Sequence, residues 1–210
     1  MIALELEVAG EMLMLLPQKA IYWPRTSTLI IADIHFGKAG AFRRLGVPVP
    51  HGTTAQNLQL LNELIAAYPC KQLIFLGDLL HAAGTSASTM QSLLEWRESH
   101  STLAMTLVRG NHDLRAGDPP DSLSIDIVDE PHLLKPFAFC HYPDIKSDGY
   151  VLRAMSIPLF ACLAVTRLCA CPVFYLALTG LFSPHLGLSL AATPSSQIRM
   201  NRCLLLQVIV

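Results

Sequence analysis

Five side chains of metal-binding type follow four apolar runs of the sequence. Asp33 ends the first run and His35 comes just after it, Asp78 ends the second, Asn111 lies near the end of the third and His141 closes the fourth. Carboxylate oxygens, amide oxygens and neutral imidazole nitrogens are common ligands of divalent cations. An isolated Asp-x-His pair is an ordinary feature of polar loops, and an isolated histidine is often a core or surface residue. The order of all five side chains favours a shared metal site.

Two features of these runs suit a pair of metal ions and proton transfer. A glycine precedes Asp78, which permits close backbone approach, and the two oxygens of one carboxylate can bridge two cations. The tetrad Gly-Asn-His-Asp begins at Gly110 and is the most specific of these signals. It offers an amide oxygen from Asn111 and, beside it, the imidazole of His112 for proton transfer.

The apolar runs are the elements that must position these side chains. They cover residues 28–33, 72–78, 103–113 and 136–141, are rich in β-forming residues, and predict four buried strands. Because strands alternate with helical stretches, the sequence predicts an α/β protein, in which ligands bind beyond the carboxyl ends of the strands.

Two helices are predicted between these strands. Apolar residues recur at helical spacing over residues 58–68, with Thr53 or Thr54 as the expected N-cap. Ser86 is expected to cap a second helix, whose apolar face lies within residues 90–96.

Composition limits the number of domains, the mode of nucleic-acid binding, the localisation and the role of the cysteines. With 210 residues, 52% of them hydrophobic, the chain suffices for one domain with a sizeable core. A net charge of -1 excludes a broad basic surface, so a nucleic acid would have to be bound locally. The start MIALELEVAG lacks the basic and apolar pattern of a secretory signal, which predicts a cytoplasmic protein. Six cysteines without CxxC spacing predict neither disulfides nor a structural zinc site.

The four motifs, in this order and at strand ends, resemble the calcineurin-like metallophosphoesterase superfamily. The resemblance implies a four-layer αββα fold, a β-sandwich flanked by helices, in which a metal-bound hydroxide attacks phosphorus. It makes Asp33 and His35 ligands of one ion, Asp78 the bridge, and Asn111 and His141 ligands of the other. His112 would protonate or stabilise the leaving oxygen, with Asp113 orienting it.

A closer resemblance covers the first three quarters of the chain. The strings GKAGAFRRLGVPVPHGTT, FLGDLLH, VRGNHD, AGDPP and VDEP are similar to those of bacterial ligase-associated DNA damage response phosphoesterases. This implies a phosphodiesterase or nuclease acting on DNA in a repair system, with two Mn²⁺ ions and with a DNA ligase and a helicase as partners. Arg43, Arg44 and His81 would contact substrate phosphate, although Arg43 and Arg44 could equally be a solvated pair.

The last 58 residues, 153–210, differ in composition from the rest. All sixteen acidic residues lie at or before Asp148, and no lysine follows Lys146. About seven acidic residues would be expected in a segment of this length. We therefore assign residues 1–152 to an incomplete metallophosphoesterase domain and residues 153–210 to an aberrant C-terminal segment.

The departure coincides with a missing motif. Related phosphoesterases end their site with Gly-His-x-His, one histidine for each metal, whereas residues 153–158 of this chain read Arg-Ala-Met-Ser-Ile-Pro. The codons CGG GCC ATG TCC ATC CCN encode this string. With one G restored in front, they read GCG GGC CAT GTC CAT CCC, which encodes Ala-Gly-His-Val-His-Pro. The same offset turns residues 169–174 and 183–187 into strings that resemble the family's C-terminal region. We therefore interpret the segment as frame-shifted and expect impaired activity.

Two other interpretations stay open. A chain that keeps the fold but lacks the last two histidines would be a non-catalytic binding protein. A membrane-tethered variant would use residues 168–182, but this apolar segment is shorter than the roughly 20 residues that span a bilayer and contains Pro172.

Overall fold

The computed structural model describes residues 3–49, 52–141 and 150–153, together with the backbone of residues 174–178, 199–200 and 203–208. The side chain of Asn111 and most of the aberrant C-terminal segment, Met155 and Ile157 included, lie outside the described residues.

The helices are α1 (Lys38–Arg44), α2 (Thr53–Ala67), α3 (Ala87–Ser99) and α4 (Asn111–Ala116). The strands up to the fourth predicted run are β1 (Leu4–Val8), β2 (Glu11–Leu16), β3 (Ala20–Trp23), β4 (Thr28–Ala32), β5 (Gln72–Leu76), β6 (Ala104–Val108), β7 (Asp126–Val128), β8 (His132–Leu134) and β9 (Phe137–Cys140). They are followed by β10 (Tyr150–Arg153), β11 (Phe174–Leu178), β12 (Arg199–Met200) and β13 (Cys203–Val208).

A seven-stranded mixed sheet forms the centre of the fold. Its strands lie in chain order from β1 to β7; the first four are antiparallel neighbours, and β4 to β7 are parallel. Ile30 of β4 pairs with Ile74 of β5, which pairs with Thr106 of β6. Because these strands are parallel and in register, their carboxyl ends meet at one edge of the sheet.

The two faces of this sheet are covered differently. Helices α2 and α3 cover one face, where Leu61, Leu64 and Leu93 are buried in the larger core. A second sheet, of order β10-β9-β8, packs on the other face through side chains that include Phe137 and Phe139. The predicted α/β sandwich is confirmed. Among the described residues no α-helix follows Ala116, so the second helical layer is not part of the described structure.

The predicted elements are present with small shifts. All four predicted strands form, as β4, β5, β6 and β9, and Ser86 caps α3 by accepting a hydrogen bond from the Thr89 N–H at 3.3 Å. The N-cap of α2 is Gly52 rather than Thr53 or Thr54; its φ of 90° is a left-handed conformation that glycine adopts without strain. None of the helices in the described residues is long and apolar enough to cross a bilayer.

Candidate metal centre

The carboxyl ends of β4 and β5 bring three of the predicted ligands together. One ligand atom from each of Asp33, His35 and Asp78 lies within 4.8 Å of the other two. Backbone bonding between the two segments continues past the strands: the His35 N–H donates to the Asp78 carbonyl at 2.9 Å, and the Phe36 N–H donates to Leu79 at 2.8 Å. The loops that carry the candidate ligands are therefore fixed to each other.

The backbone at these three residues adopts an unusual conformation. The φ angles of Asp33, His35 and Asp78 are 51°, 50° and 53°, in the left-handed region that non-glycine residues rarely adopt. Each such residue costs on the order of 1–3 kcal/mol, and residues of this kind cluster at functional sites. In this site the conformation turns three donor side chains toward one another at the end of the sheet.

His141, at the end of β9, comes from the second sheet and meets the same side chains. Its Nδ1 lies 3.8 Å from Oδ1 of Asp33, and its Nε2 lies 3.7 Å from Oδ1 of Asp78. The Nε2 atom of His35 lies 3.7 Å from the other oxygen of Asp78, Oδ2. These separations are too long for hydrogen bonds. They fall below about 4.2 Å, the greatest distance between two atoms that both bind an ion at ~2.1 Å.

A buried donor atom that has no hydrogen-bond partner is further evidence for a bound cation. Within the described part of the chain, Oδ1 of Asp33 is buried without a hydrogen-bond partner. Burying such an atom unpaired is costly, so its survival in the fold indicates that something else satisfies it. Burial lowers the pKa of His35 to about 4, with the charge of Lys38 acting in the same direction, so its imidazole is in the neutral, metal-binding form. The donor set therefore fits divalent cations.

Gly77 and Gly110 make room for this arrangement. A Cβ atom on Gly77 would lie 1.9 Å from Nδ1 of His141, and one on Gly110 would lie 2.5 Å from Oδ1 of Asp78. Gly77 also has a φ of +73°. The two glycines thus let the candidate ligands pack directly against the backbone of neighbouring loops.

The substitution Gly77→Ala is expected to displace His141, because no side chain fits 1.9 Å from a ring atom. We expect a loss of metal affinity, measured by elemental analysis after dialysis, and a lower melting temperature. Gly84→Ala is the matched control: Gly84 has a φ of +72°, but an added Cβ would have no neighbour within 4 Å. Equal effects of the two substitutions would mean that the left-handed backbone, and not the contact with His141, accounts for the loss.

Asp113 binds the backbone of two loops at the candidate metal centre. Its side chain is 1% exposed and accepts four backbone N–H bonds, from Asp78 at 2.7 Å, Gly110 at 2.8 Å, Leu79 at 2.9 Å and Leu80 at 3.4 Å. Both of its oxygens are used in this way, so Asp113 could orient His112 only through the loop that it fixes, and that role stays a prediction. Asp113 is a positioning residue that ties the end of β5 to the loop after β6.

His112 is held from two sides. Its backbone N–H donates to Oδ1 of Asp78 at 3.0 Å, and its Nδ1 lies 3.3 Å from the carbonyl oxygen of His81. Because a carbonyl oxygen only accepts, Nδ1 carries the proton of this bond. The remaining nitrogen, Nε2, is then the atom that can take up or give a proton.

Three near-parallel rings extend from His112 to α1, and we call them the ring column. His112 stacks on His81 with centroids 5.0 Å apart and a 24° angle between planes, and His81 stacks on Phe42 at 5.7 Å and 28°. His35 meets His81 and His112 edge-on, at 5.4 and 5.2 Å. The column connects the candidate metal centre to α1.

The three predicted substrate-contacting residues have different surroundings in the structure. His81 lies in the ring column, where burial lowers the pKa of its imidazole. Arg43 donates from Nη1 to the Val49 carbonyl at 3.3 Å, which ties it to the loop after α1, and Arg44 is exposed. Whether they contact phosphate stays a prediction.

Lys38, which was not predicted from the sequence, acts electrostatically on three side chains of the candidate metal centre and the ring column. Burial lowers the pKa of His35 and His81, and the charge of Lys38 acts in the same direction. At Asp33 burial raises the pKa of the carboxyl, and the charges of Lys19 and Lys38 oppose this in part. A signal was available: Lys38 follows the Asp-x-His motif by three residues, where the chain re-enters a helix beside the site.

Comparisons with known proteins agree with this geometry. Residues 26–168 match the sequence model of the calcineurin-like phosphoesterases. The structure is similar to the crystal structure of the nuclease MPE of Pseudomonas putida, with 43% sequence identity, a TM-score of 0.66 and 72% of each chain covered. A search of curated proteins finds no similar sequence.

Proposed function

Because the chain belongs to the calcineurin-like phosphoesterase family, which makes it a metal-dependent phosphoesterase, we propose that it cleaves phosphodiester bonds in DNA. The proposed ligands of two divalent ions, with Mn²⁺ the proposed metal, are Asp33, His35, Asp78, Asn111 and His141. When bound, such ions offset charge on the attacking and leaving oxygens and activate water.

The position of Asp78 is the single observation that carries this proposal. Its Oδ2 faces His35 and its Oδ1 faces His141, each at 3.7 Å, so the two oxygens of one buried carboxylate are directed to two imidazoles from different sheets. This division supports a bridging role in which each oxygen serves a different ion.

The protein's own groups account for binding and proton transfer. His112 is proposed to donate a proton from Nε2 to the leaving oxygen, since its Nδ1 is already directed to the His81 carbonyl. Asp113 keeps the loops of Asp78 and His112 together through four backbone hydrogen bonds. Lys38 offsets part of the negative charge of a bound phosphate, which suits a chain whose net charge of -1 provides no general attraction for DNA.

The proposed setting is DNA repair in the cytoplasm, with a DNA ligase and a helicase as partners. Two observations support it: the similarity to a nuclease of Pseudomonas putida, and the sequence strings that resemble ligase-associated DNA damage response phosphoesterases. The phosphodiesterase assay below is independent of this setting.

We further propose that the chain as written is impaired by its aberrant C-terminal segment. The structural match covers 72% of the chain, which is the share that residues 1–152 make up, although the family match continues to residue 168.

The second candidate function, a non-catalytic binding protein, is favoured by the same missing histidines. The two candidates differ in turnover: hydrolysis of bis(p-nitrophenyl) phosphate that needs Mn²⁺ and stops with EDTA supports the enzyme.

Metal content gives the most direct test on the chain as written. We expect fewer than two ions per chain after dialysis, because each ion lacks one histidine of the motif that should follow Leu152. Elemental analysis of the dialysed protein measures this number. Two tightly held ions in this polypeptide would show that the missing histidines are not needed.

A further inference from the structure

A cavity of about 360 Å³ lies directly beside the candidate metal centre. Asp33 and His35 form part of its wall, so a molecule in the cavity would be next to the ions. The rest of the wall comes from Ile34 and Gly37, from α1, from Val49 and from the first turns of α2. The volume is within the range of small-molecule sites.

Phe42 of α1 gives this cavity an aromatic wall. One face of its ring packs on His81, at 5.7 Å and 28°, and His81 in turn packs on His112. The ring column therefore fixes the plane of Phe42 before any ligand arrives. A ring held in this way is a stacking platform that loses little side-chain entropy on binding.

The remaining wall combines apolar and polar side chains. Val49 adds apolar surface, whereas Thr54 and Asn57 add polar groups at the start of α2. The Asn57 amide nitrogen donates to the Ile34 carbonyl at 2.9 Å, which fixes the orientation of that carboxamide. Such a wall suits a flat ring with polar edges better than an aliphatic chain.

We propose that this cavity is a subsite for an aromatic ring carried by the phosphate ester, with Phe42 as its stacking and specificity-determining residue. The ring is a nucleobase or an aryl group joined to the phosphate that the metal centre binds. This inference rests on the proposed phosphodiesterase function, since the metal centre must hold the phosphate end of the same molecule. Lys38 lines the cavity as well.

Calorimetric titration in the presence of Mn²⁺ tests the subsite with four probes: inorganic phosphate, deoxyribose 5-phosphate, phenyl phosphate and thymidine 5′-monophosphate. We expect the thymidine nucleotide to bind about 5- to 150-fold more tightly than deoxyribose 5-phosphate, the range that stacking of one base on an aromatic side chain provides. Phe42→Leu, which keeps an apolar side chain but removes the ring, should bring this ratio close to one. The dissociation constant of inorganic phosphate should stay unchanged in this variant.

Leu45→Ala is the matched control, because Leu45 is 77% exposed, directly follows α1 and is not part of the cavity wall. If phenyl phosphate also binds more tightly than inorganic phosphate, the subsite accepts any flat ring. If only the nucleotide binds more tightly than its ring-free counterpart, the subsite is one for a nucleobase. Equal binding of the nucleotide and the sugar phosphate, or a ratio that Phe42→Leu leaves unchanged, would overturn the inference. If ring-carrying probes are discriminated but inorganic phosphate binds neither the chain as written nor a chain with the reading frame restored after Leu152, the proposed function fails while the subsite stands.

Discussion

Restoring one G between the codons of Leu152 and Arg153 is expected to raise both the metal content and the rate of phosphodiester hydrolysis. The shifted frame would encode Ala-Gly-His-Val-His-Pro, and the chain as written has Met155 and Ile157 in place of those two histidines. Neither side chain has a nitrogen that can bind a metal. Since loss of a group that only supports a ligand already costs 10- to 100-fold, we expect an increase of more than about 100-fold in activity.

The comparison is made with bis(p-nitrophenyl) phosphate and Mn²⁺, after the source DNA has been sequenced. Insertion of a whole codon at the same place is the matched control, because it lengthens the chain without changing the frame. The restored chain should also aggregate less, since the charge-poor segment is replaced. A restored chain that is no more active than the chain as written, or nucleotides that do not encode Gly-His-Val-His in the shifted frame, would refute the frameshift.

In the frame-restored chain, His112→Ala is expected to slow hydrolysis of esters with a poor leaving group by 10²- to 10⁴-fold, the usual contribution of general acid catalysis. Metal content should stay nearly intact, because the contact of this residue with Asp78 uses its backbone N–H, which alanine retains. The effect should shrink with p-nitrophenolate, a leaving group that needs no proton.

His100→Ala is the control for this experiment, because His100 caps the end of α3, and its ring contacts Ser99 and Trp96 rather than the metal centre. Rates on both classes of ester, together with the metal content, separate proton transfer from structural loss. An unchanged rate on the poor leaving group would remove His112 from the mechanism.

The sequence predicts the strands and the candidate ligands because both leave local signals. The four apolar runs became β4, β5, β6 and β9, and each predicted ligand lies at or just after the end of one of them. The carboxyl ends of neighbouring parallel strands lie at the same edge of the sheet for any conformation of the loops. The proximity of Asp33 and Asp78 therefore follows from strand order alone.

Other parts of the site depend on contacts that no local pattern records. Asp113 accepts N–H groups from residues up to 35 positions away, so its positioning role appears only once β5 and β6 are adjacent. Helix α1 has seven residues, with Gly40 inside it, which leaves no apolar periodicity to identify. For this reason Phe42 and Lys38, which connect the metal centre to the neighbouring cavity, were not singled out from the sequence.

The left-handed conformation of Asp33, His35 and Asp78 was also invisible in the sequence. Glycine would have indicated it, but these positions carry donors that the site needs. Pairing of the two loops, through the bond from His35 to Asp78, stabilises a backbone that the residue types alone would disfavour.

Elemental analysis of Asp78→Ala in the frame-restored chain tests the central claim most directly, because Asp78 is the proposed bridge between two ions. After dialysis against Mn²⁺, the restored chain is expected to hold two ions, and the Asp78→Ala variant at most one, with no measurable phosphodiester hydrolysis. A variant that keeps two ions, or that still hydrolyses the ester, would contradict the account of a dinuclear phosphoesterase centred on Asp78.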